Sequence, residues 1–352
     1  MKMLVAMSGG VDSSVAAALL VEAGHEVTGV HLRLAEANAG DDGGRVHGCC
    51  GLTDADDARR VAQVLEIPFY VWNMRDAFAE GIVDDFVGEY AKGRTPNPCV
   101  RCNERVKFGT LLDRAEQLGF DAVATGHYAR TTFEDGRWRL RRGVDHAKDQ
   151  SYVLARTPQE RLARSRFPLG ELEKPQVREL AARINLRTAN KPESYDICFI
   201  PDGDTAGFLE RSLGEAPGPI LDADGNLLGE HSGVHRFTIG QRRGLGIASH
   251  ERLHVLELEP ETSTVVVGPQ RMLRRRVLEV DELVWTSGGP EGFDAVQVRA
   301  HGDPIPVDEV TSTAEGLTIE LAEPIAGVAP GQLVACYRGD EVVAGATLAA
   351  TR

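Results

Sequence analysis

The sequence predicts an α/β fold: a doubly wound parallel sheet, followed by a small β-rich central domain and a C-terminal β-barrel. In the first 127 residues, short apolar runs alternate with helical patterns, as in chains of strand-helix-strand units. After about residue 205, short alternating runs are separated by glycine and proline turns, which is typical of β-rich domains. We therefore expect three domains, at residues 1–204, 205–272 and 273–352.

Seven elements are predicted in the first domain. They are a strand at 2–7, a helix at 12–23, a strand at 26–34, a helix at 54–65, a strand at 69–72, a helix at 105–118 and a strand at 121–125. Gly24 and Gly119 follow the first and third helices, where glycine commonly ends a helix, and Thr53 is placed to cap the second. The loops 35–51 and 93–103 are too long for simple connections, so we expect them to be functional.

The rest of the chain carries turn signals at 217–219 and 222–226. Between such turns, alternating apolar residues predict strands at 235–239, 253–258 and 264–267 in the central domain, and at 296–299, 317–321 and 334–337 in the barrel.

The charge of the chain is unevenly distributed. Its 352 residues include 39 Lys and Arg against 53 Asp and Glu, a net charge of −14, and 42% are hydrophobic, which excludes a disordered chain. Segments 92–107 and 130–187 are nonetheless basic, because the second contains 14 Lys or Arg and 8 Asp or Glu. A basic surface on an acidic protein indicates polyanion binding, although solvated helix faces would give the same count.

No apolar run approaches the roughly 20 residues of a membrane span, and the N-terminal residues lack the pattern of a secretory signal. We therefore expect a cytoplasmic protein with no membrane partner. Its six cysteines are too few for a disulfide scaffold of this length, and cytosolic thiols are more often catalytic, redox-active or metal-binding.

The sharpest local signal is SGGVDSS at residues 8–14, between a predicted strand and the helix that follows it. Two glycines let successive backbone N–H groups converge on an anion, and the helix N-terminus adds partial positive charge. Asp12 would repel a phosphate unless a cation lay between them, which suggests a Mg²⁺ ligand. The motif lacks the Lys of GxxxxGK[ST] and the spacing of GxGxxG. It resembles the PP-loop of the ATP pyrophosphatases, which cleave ATP to AMP and pyrophosphate.

Two cysteines are candidates for chemistry. Cys102 ends a proline-rich loop directly before a predicted helix, and Arg101, Arg105 and Lys107 surround it in sequence. A helix start and nearby cations favour the thiolate, so Cys102 is a plausible nucleophile. Cys198 is flanked by apolar residues, which by themselves indicate a buried core thiol.

Seven motifs, in this order, closely resemble those of the tRNA-specific 2-thiouridylases: SGGVDSS, TPNPCVRCNERVKFG, ATGHYAR, KDQSYVL, FPLGELEKPQVRELA, CFIP and GQRRGLGI. The resemblance implies a sulfurtransferase that uses ATP and Mg²⁺ to replace oxygen by sulfur at C2 of the wobble uridine of tRNA. It also implies release of AMP and pyrophosphate, and a sulfur-relay protein or cysteine desulfurase as the persulfide donor.

The resemblance also assigns the residues of the site. Cys102 matches the nucleophile of the family, and Cys198 matches the cysteine that carries the persulfide. The ATP site falls on Ala6, Met7, Ser8, Gly9, Gly10, Val11, Asp12, Ser13, Leu32 and Gly126. The tRNA contacts fall on Asn97, Pro98 and Cys99, at the target base, and on Lys148, Asp149 and Gln150.

Alternatives remain open at several positions. Some relatives carry a carboxylate where this chain has Cys99, and CxxC with Cys198 also suits a [4Fe–4S] cluster or a zinc site. A protein that holds nucleotide without turnover is a further possibility, against which the candidate thiols argue. The segment 240–246 is either a phosphate-binding turn or a structural one. Arg299 is not expected to contact tRNA, because Ala300 replaces the aromatic residue expected beside it.

The remaining cysteines have simpler interpretations. Cys49 and Cys50 are interpreted as a loop thiol pair without a catalytic role, and Cys336 as a core residue.

Overall fold

The computed structural model describes residues 1–34, 52–191 and 197–352. Cys49 and Cys50 lie outside the described residues, as does the predicted loop 35–51. Within the three described ranges, no helix is long enough and apolar enough to cross a membrane.

The helices are α1 (Val11–Glu22), α2 (Leu52–Val64), α3 (Arg75–Phe78), α4 (Asp84–Ala91), α5 (Pro98–Arg101), α6 (Leu111–Gln117), α7 (Gln159–Leu162), α8 (Lys174–Arg183) and α9 (Thr205–Leu213). Two π-helical segments, Ala79–Val83 and Cys102–Thr110, join α3 to α4 and α5 to α6. Short 3₁₀ turns occur at Tyr152–Leu154, Arg187–Asn190, Val234–Arg236 and Gln270–Leu273.

The strands are β1 (Lys2–Ala6), β2 (Glu26–Arg33), β3 (Phe69–Asn73), β4 (Ala122–Ala124), β5 (Ala129–Glu134), β6 (Arg137–Arg142), β7 (Ser165–Arg166), β8 (Gly218–Asp222), β9 (Leu227–His231), β10 (Leu253–Glu259), β11 (Thr264–Pro269), β12 (Arg274–Trp285), β13 (Ala295–Gln297), β14 (Ile305–Ser312), β15 (Leu317–Ala326), β16 (Leu333–Arg338) and β17 (Glu341–Thr351).

The first domain is built on a parallel five-stranded sheet in the order β3-β2-β1-β4-β7. Alternate residues of β1 enter different apolar clusters: Leu4 packs with the helix at 98–117, and Met3 packs with α1. Apolar clusters therefore cover both faces, as predicted for a doubly wound sheet. Because β1 and β4 are parallel neighbours, the loops that follow Ala6 and Ala124 lie side by side at one edge of the sheet.

Two predicted helix starts in this domain are wrong. The helix predicted to begin at residue 105 begins at Pro98, because proline fits the first helical position, where no backbone N–H is needed. The Asn97 side chain accepts hydrogen bonds from the amides of Cys99 and Val100, so it caps this helix. The second helix begins at Leu52, which puts Thr53 inside the helix and not at its cap.

The central domain is a four-stranded sheet in the order β10-β11-β8-β9. The strand predicted at 235–239 is absent there: Val234–Arg236 forms a 3₁₀ turn, in which the Arg236 amide donates to the Gly233 carbonyl. Val234 and His235 are both buried although they are consecutive. A strand would point them to opposite faces, whereas a tight turn buries both.

The third domain is a six-stranded barrel, in which β12 pairs with both β15 and β17 and so closes the sheet. The hairpin β5-β6 of the first domain extends this sheet, because Glu341 and Val342 of β17 pair with Arg141 and Leu140 of β6. Cys336 is fully buried in the barrel core, as expected, and burial raises the pKa of its thiol to about 12. The first and third domains are therefore joined by backbone hydrogen bonds.

The basic segment 130–187 is largely neutralised by acids that lie in other parts of the chain. Between described residues, ion pairs are formed by eight arginines of segment 130–187: Arg130, Arg137, Arg139, Arg141, Arg142, Arg156, Arg161 and Arg164. Several partners belong to the barrel, such as Asp340, which binds Arg130 and Arg141. The local charge of +6 in the sequence therefore does not form an open basic surface of the same strength.

One ion-pair network fixes the cysteine-bearing helix to the barrel. The Arg101 side chain, 10% exposed, contacts the carboxylates of Glu104, Asp85 and Glu282 at 3.2, 3.6 and 2.6 Å. Arg156 contacts Glu104 at 2.9 Å and donates to the Glu282 backbone carbonyl at 2.6 Å. The network therefore joins α4, the helix at 98–117, and β12.

Replacing Glu282 with Gln should weaken this junction. Burial alone would raise the pKa of Glu282, but hydrogen bonds from Arg101 and Thr347 and the positive charge of Arg101 lower it to about 2, from an ordinary 4.5. A lowered pKa means that the stabilisation is complete above pH 4.5 and is lost as the pH falls toward 2. The side chain is 48% exposed, so water screens the pair, and we expect a loss of about 1 kcal/mol at neutral pH.

Urea unfolding of the wild type and of Glu282→Gln, measured from neutral pH downward, tests this expectation. Glu279→Gln is the matched control, because Glu279 pairs only at the surface with Arg352. If the wild type and Glu282→Gln lost stability identically on acidification, the network would not have the role assigned to it.

Candidate active site

The anion loop joins β1 to α1 and is shaped by its own serines. The Ser13 hydroxyl accepts from the Ser8 amide at 3.1 Å, and the Ser14 hydroxyl donates to the Gly10 carbonyl at 2.7 Å. Gly10 is the N-cap residue of α1 and has no side chain with which to cap the helix. The first amides of α1 therefore face the loop without a capping side chain, which is the arrangement that binds phosphate at helix N-termini.

Two glycines of the predicted nucleotide site are required by close approach. Gly9 has a φ of +81°, and a Cβ there would lie 2.3 Å from the Asp54 carbonyl oxygen. At Gly126, which follows β4, a Cβ would lie 2.7 Å from the backbone of Asp12 and Ser13. The structure thus brings Gly126 against the anion loop, and a nucleotide site shared by the two stays a prediction.

The other predicted nucleotide residues surround the loop. Met7 donates its amide to the Val30 carbonyl of β2 at 2.8 Å, so the loop leaves β1 directly beside β2. Leu32 lies farther along β2 and is 8% exposed in the apolar cluster of the sheet. Ala6 ends β1 and Val11 begins α1.

The positive charge expected beside Asp12 is supplied by a lysine. Lys174 Nζ lies 2.8 Å from both carboxylate oxygens of Asp12, and the Tyr128 hydroxyl donates to one of them at 2.9 Å. Among the described residues, no three His, Cys, Asp or Glu side chains are grouped to hold a metal ion. Asp12 therefore has a cationic partner within the chain, and its role as a Mg²⁺ ligand stays a prediction.

A second lysine holds the loop from the opposite side. Lys191 Nζ donates to the Gly9 carbonyl at 3.0 Å and contacts the carboxylates of Asp54 and Asp57 at 2.7 and 2.8 Å. The pKa of Lys191 is raised: burial would lower it, but hydrogen bonds to the two carboxylates outweigh that effect. Neither lysine was predicted as a site residue, although Lys174 lies inside the motif FPLGELEKPQVRELA.

In the helix at 98–117, the positions and the exposure of the two thiols differ from the prediction. Cys99 is the second helical residue and is exposed, whereas Cys102 lies in the following π-helical segment and is 8% exposed. Cys99 therefore lies nearer to the helix N-terminus than Cys102 does. The expectation that Cys102 directly precedes a helix is wrong, because the helix begins four residues earlier.

Electrostatic effects link Cys99 to Cys198. Desolvation by the surrounding protein raises the pKa of Cys99, Lys107 lowers it, and Cys198 raises it further. The two cysteines are therefore within electrostatic range of each other, although they are far apart in the sequence. Cys198 is half-buried and packs at the edge of the cluster that contains Cys102. The structure thus brings the three predicted cysteines to one region.

These cysteines do not form a cluster site in this structure. Cys99, Cys102 and Cys198 are not among any grouping of three potential metal ligands in the described chain. The [4Fe–4S] and zinc alternatives are therefore not supported, and no step of the chemistry is derived through them.

His127 connects the turn after β4 to the helix at 98–117, which carries Cys99 and Cys102. Its Nδ1 lies 2.7 Å from the Thr125 hydroxyl, and burial lowers the pKa of the ring well below its usual range, with Lys107 acting in the same direction. The ring is therefore neutral at neutral pH. Lys107 lowers the pKa of both His127 and Cys99, and the ring of Phe108, the next residue, lies 6.1 Å from the His127 ring. The motif ATGHYAR was the sequence signal for His127, which was not predicted as a site residue.

The segment 148–150 packs on the same turn. Asp149 accepts hydrogen bonds from the Gly143 amide and the Ser151 hydroxyl, at 3.0 and 2.8 Å, and the Gln150 side chain accepts from the Tyr128 amide at 3.0 Å. Asp149 and Gln150 therefore hold the structure of the turn. A contact between this segment and tRNA stays a prediction, as do the target-base contacts of Asn97, Pro98 and Cys99.

Comparisons with known proteins cover the whole chain. Three domain families match it: "tRNA methyl transferase HUP domain" at residues 1–202, "tRNA methyl transferase PRC-barrel domain" at 206–269 and "Aminomethyltransferase beta-barrel domain" at 275–348. The tRNA-specific 2-thiouridylase MnmA of Cutibacterium acnes is 52% identical, over 100% of this chain and 97% of its own. That of Saccharopolyspora erythraea is 53% identical over 100% of both chains.

Among solved structures, a 4-thiouridine synthetase in complex with RNA and ATP aligns at 18% identity with a TM-score of 0.38. The alignment covers 60% of this chain and 50% of that chain.

The two adjacent loop glycines should respond differently to alanine. Gly9→Ala forces a left-handed backbone on an L-residue, which costs about 1–2 kcal/mol, and its Cβ meets the Asp54 carbonyl. Gly10 has an ordinary φ of −91°, and a Cβ there would meet only the Ser8 hydroxyl, at 3.5 Å. We therefore expect Gly9→Ala to destabilise the nucleotide-free protein by more than about 2 kcal/mol, and Gly10→Ala by less than about 0.5 kcal/mol.

Denaturant unfolding without nucleotide provides the measurement, with Gly10→Ala as the matched control. Equal destabilisation by the two substitutions would show that the loop conformation seen here is not the one that determines stability.

Proposed function

Since this chain belongs to the family of the tRNA-specific 2-thiouridylases, we propose that it replaces the C2 oxygen of the wobble uridine of tRNA by sulfur, in two chemical steps. The observation that carries this proposal is the proximity of two sites. His127 follows Gly126, which lies against the anion loop, and its ring lies 6.1 Å from that of Phe108, in the π-helical segment that begins at Cys102.

In the first step, ATP activates the uridine. The uridine O2 attacks the α-phosphorus of ATP, the bond from that phosphorus to the β-phosphate oxygen breaks, and pyrophosphate leaves. Residues 8–14 would bind the departing pyrophosphate through backbone amides and hydroxyls. Lys174 neutralises Asp12, so the carboxylate does not repel the phosphates. Mg²⁺ would accompany ATP as part of the substrate.

The adenylated oxygen is a good leaving group, and the second step uses this property. A donor protein first transfers sulfur to Cys198, which then carries a persulfide. The terminal sulfur becomes bonded to C2 of the base, the C2–O bond breaks, and AMP leaves with the former O2 oxygen. Cys102 attacks the inner sulfur of the persulfide, so the cycle ends with a Cys102–Cys198 disulfide that an external thiol must reduce. Whether this attack precedes or follows the bond to C2 stays open.

The burial of Cys102 and the half-burial of Cys198 support a closed reaction. A persulfide is readily lost to solvent thiols, so a site that transfers sulfur benefits from limited access. Only Cys99 is exposed among the three, which suits a position that meets the incoming base. The uridine must be unstacked to reach these thiols, and unstacking is least costly in a single-stranded loop of RNA.

We propose domain boundaries at 1–204, 205–272 and 273–352, and we propose that the three domains have different functions. The first domain would carry the chemistry, and the other two would hold the substrate RNA.

Serine substitutions should separate the roles of the cysteines. Cys102→Ser and Cys198→Ser should each abolish thiolation and still bind tRNA, and Cys198→Ser alone should fail to accept a persulfide. Cys99→Ser should reduce the rate mildly, because persulfide transfer does not need its sulfur. Cys336→Ala is the matched control, since Cys336 is buried in the barrel core, away from the other three.

Mass spectrometry of tRNA incubated with protein, ATP and a persulfide donor measures the sulfur-for-oxygen exchange. Mass spectrometry of tryptic peptides locates the persulfide. A persulfide trapped on Cys102, with Cys198 unmodified, would reverse the two roles, and an unmodified uridine with the wild-type protein would refute the function itself.

A further inference from the structure

We propose that the arginine loop of the central domain, residues 240–252 with Arg242, Arg243 and Arg252, is a binding surface for the phosphate backbone of the substrate RNA. This inference rests on the proposed function, because it takes tRNA as the partner. It goes beyond that function by assigning RNA binding to a surface distant in sequence from the cysteines and the nucleotide loop.

The arginines of this loop are free of the pairing that neutralises the other basic segments. In the described chain, no carboxylate lies within 4.0 Å of the guanidinium nitrogens of Arg242, Arg243 or Arg252, and all three residues are exposed. The acid of the loop, Glu251, faces another cation, Arg271, at 3.9 Å. The hairpin arginines 130, 139 and 141, by contrast, each contact barrel carboxylates.

The loop is ordered by the Gln241 side chain and by an apolar anchor, so its fold does not depend on the arginines. The side-chain oxygen of Gln241 accepts a hydrogen bond from the Thr238 amide at 3.0 Å, and its side-chain nitrogen donates to the Arg243 carbonyl at 3.0 Å. Leu245, 8% exposed, anchors the loop in the core of the central domain. Gly244 and Gly246 take positive φ, which reverses the chain on either side of this anchor. The guanidinium groups are therefore exposed, and the structure of the loop does not depend on their contacts.

The displayed groups border a cavity. Arg242 and Arg252 line an open cavity of about 370 Å³ together with Gly244, Gly246, Ser249 and the Glu251 side chain, which faces Arg271. A concave surface with two guanidinium groups and a hydroxyl offers several donors to one phosphate group. This observation favours a phosphate ligand over a purely structural β-turn, the two alternatives that the sequence left open for this segment.

A chain of contacts connects the loop to the reactive cysteines. Just before the loop, the 3₁₀ turn at Val234–Arg236 contacts α4, which carries Tyr90. The Tyr90 ring lies 4.9 Å from that of Phe86, which lies 5.4 Å from that of Phe199, the neighbour of Cys198. On its other side, a Cβ on Gly240 would lie 2.9 Å from the Gly327 Cα of the barrel. The loop is therefore held at the junction of the three domains, on the side of the Cys198 segment.

Charge explains why such a surface is needed. The protein has a net charge of −14, so at long range it repels RNA. Binding then depends on local positive charge that is not already neutralised. Each guanidinium that contacts a phosphate displaces a condensed counterion, which makes the affinity depend on salt.

The test compares Arg242→Gln/Arg243→Gln with Arg59→Gln/Arg60→Gln. The control removes two adjacent positive charges from α2, where the arginines already pair with Asp56 and Asp57. The affinity of each protein for tRNA is measured by fluorescence anisotropy over a series of salt concentrations. We expect the slope of log K against log salt to fall by about two for the loop variant, one for each arginine that no longer meets a phosphate, and to be unchanged for the control.

Thiolation of the same tRNA, followed by mass spectrometry, keeps the inference and the proposed function separate. At saturating tRNA the loop variant should thiolate at the wild-type rate, with a higher KM for tRNA, and its thermal unfolding should be unchanged. A wild-type protein that does not thiolate would refute the proposed function. Thiolation with an unchanged salt slope in the loop variant would refute only the inference. Unchanged tRNA affinity with slower persulfide transfer would assign the loop to the donor protein and would also refute it.

Discussion

The burial of Arg101 is the constraint on which the candidate active site depends. This guanidinium lies in the helix between Cys99 and Cys102, and a buried unpaired charge costs several kcal/mol. Its partners come from three elements: Asp85 of α4, Glu104 of its own helix and Glu282 of β12. The helix that carries the cysteines is therefore correctly placed only when the barrel is docked on the first domain. We infer that the barrel is part of the active-site structure even though it contributes no thiol.

Ion pairing determines which basic surfaces of this acidic protein are available to bind RNA. The hairpin β5-β6 is rich in arginine, but it extends the barrel sheet and lies against acids such as Asp340 and Glu341. Those arginines join domains. In the described chain, no carboxylate lies within 4.0 Å of the guanidinium groups of the arginine loop, so their charge remains available. The two uses of arginine cannot be distinguished by counting charges along the sequence, because the neutralising carboxylates lie up to about 200 residues away.

Much of the fold could be predicted because its signals are local. Alternating apolar runs predicted the parallel sheet, which is confirmed, and the pattern at 8–14 predicted a loop between a strand and a helix, where the structure has one. Anion binding by this loop stays a prediction. The errors arose where a local signal has two meanings. Pro98 was interpreted as part of a loop, but it occupies the first helical position. A strand was predicted at 235–239, but the consecutive buried residues 234 and 235 belong to a turn.

The site was predicted less completely, because its electrostatics depend on tertiary contacts. The cation beside Asp12 is Lys174, 162 residues away, and Lys191 reaches Gly9 across 182 residues. No spacing in the sequence indicates either contact. The same holds for His127 and Lys107, whose coupling requires the helix at 98–117 to pack beside the turn after β4.

The central claim is that the uridine oxygen becomes part of AMP, and isotope transfer tests it most directly. A tRNA that carries heavy oxygen at C2 of the wobble uridine would be thiolated in a single turnover, and the released AMP analysed by mass spectrometry. Adenylation of O2 predicts one heavy oxygen in the phosphate of AMP for each uridine thiolated. Heavy oxygen found in water, with none in AMP, would contradict the account.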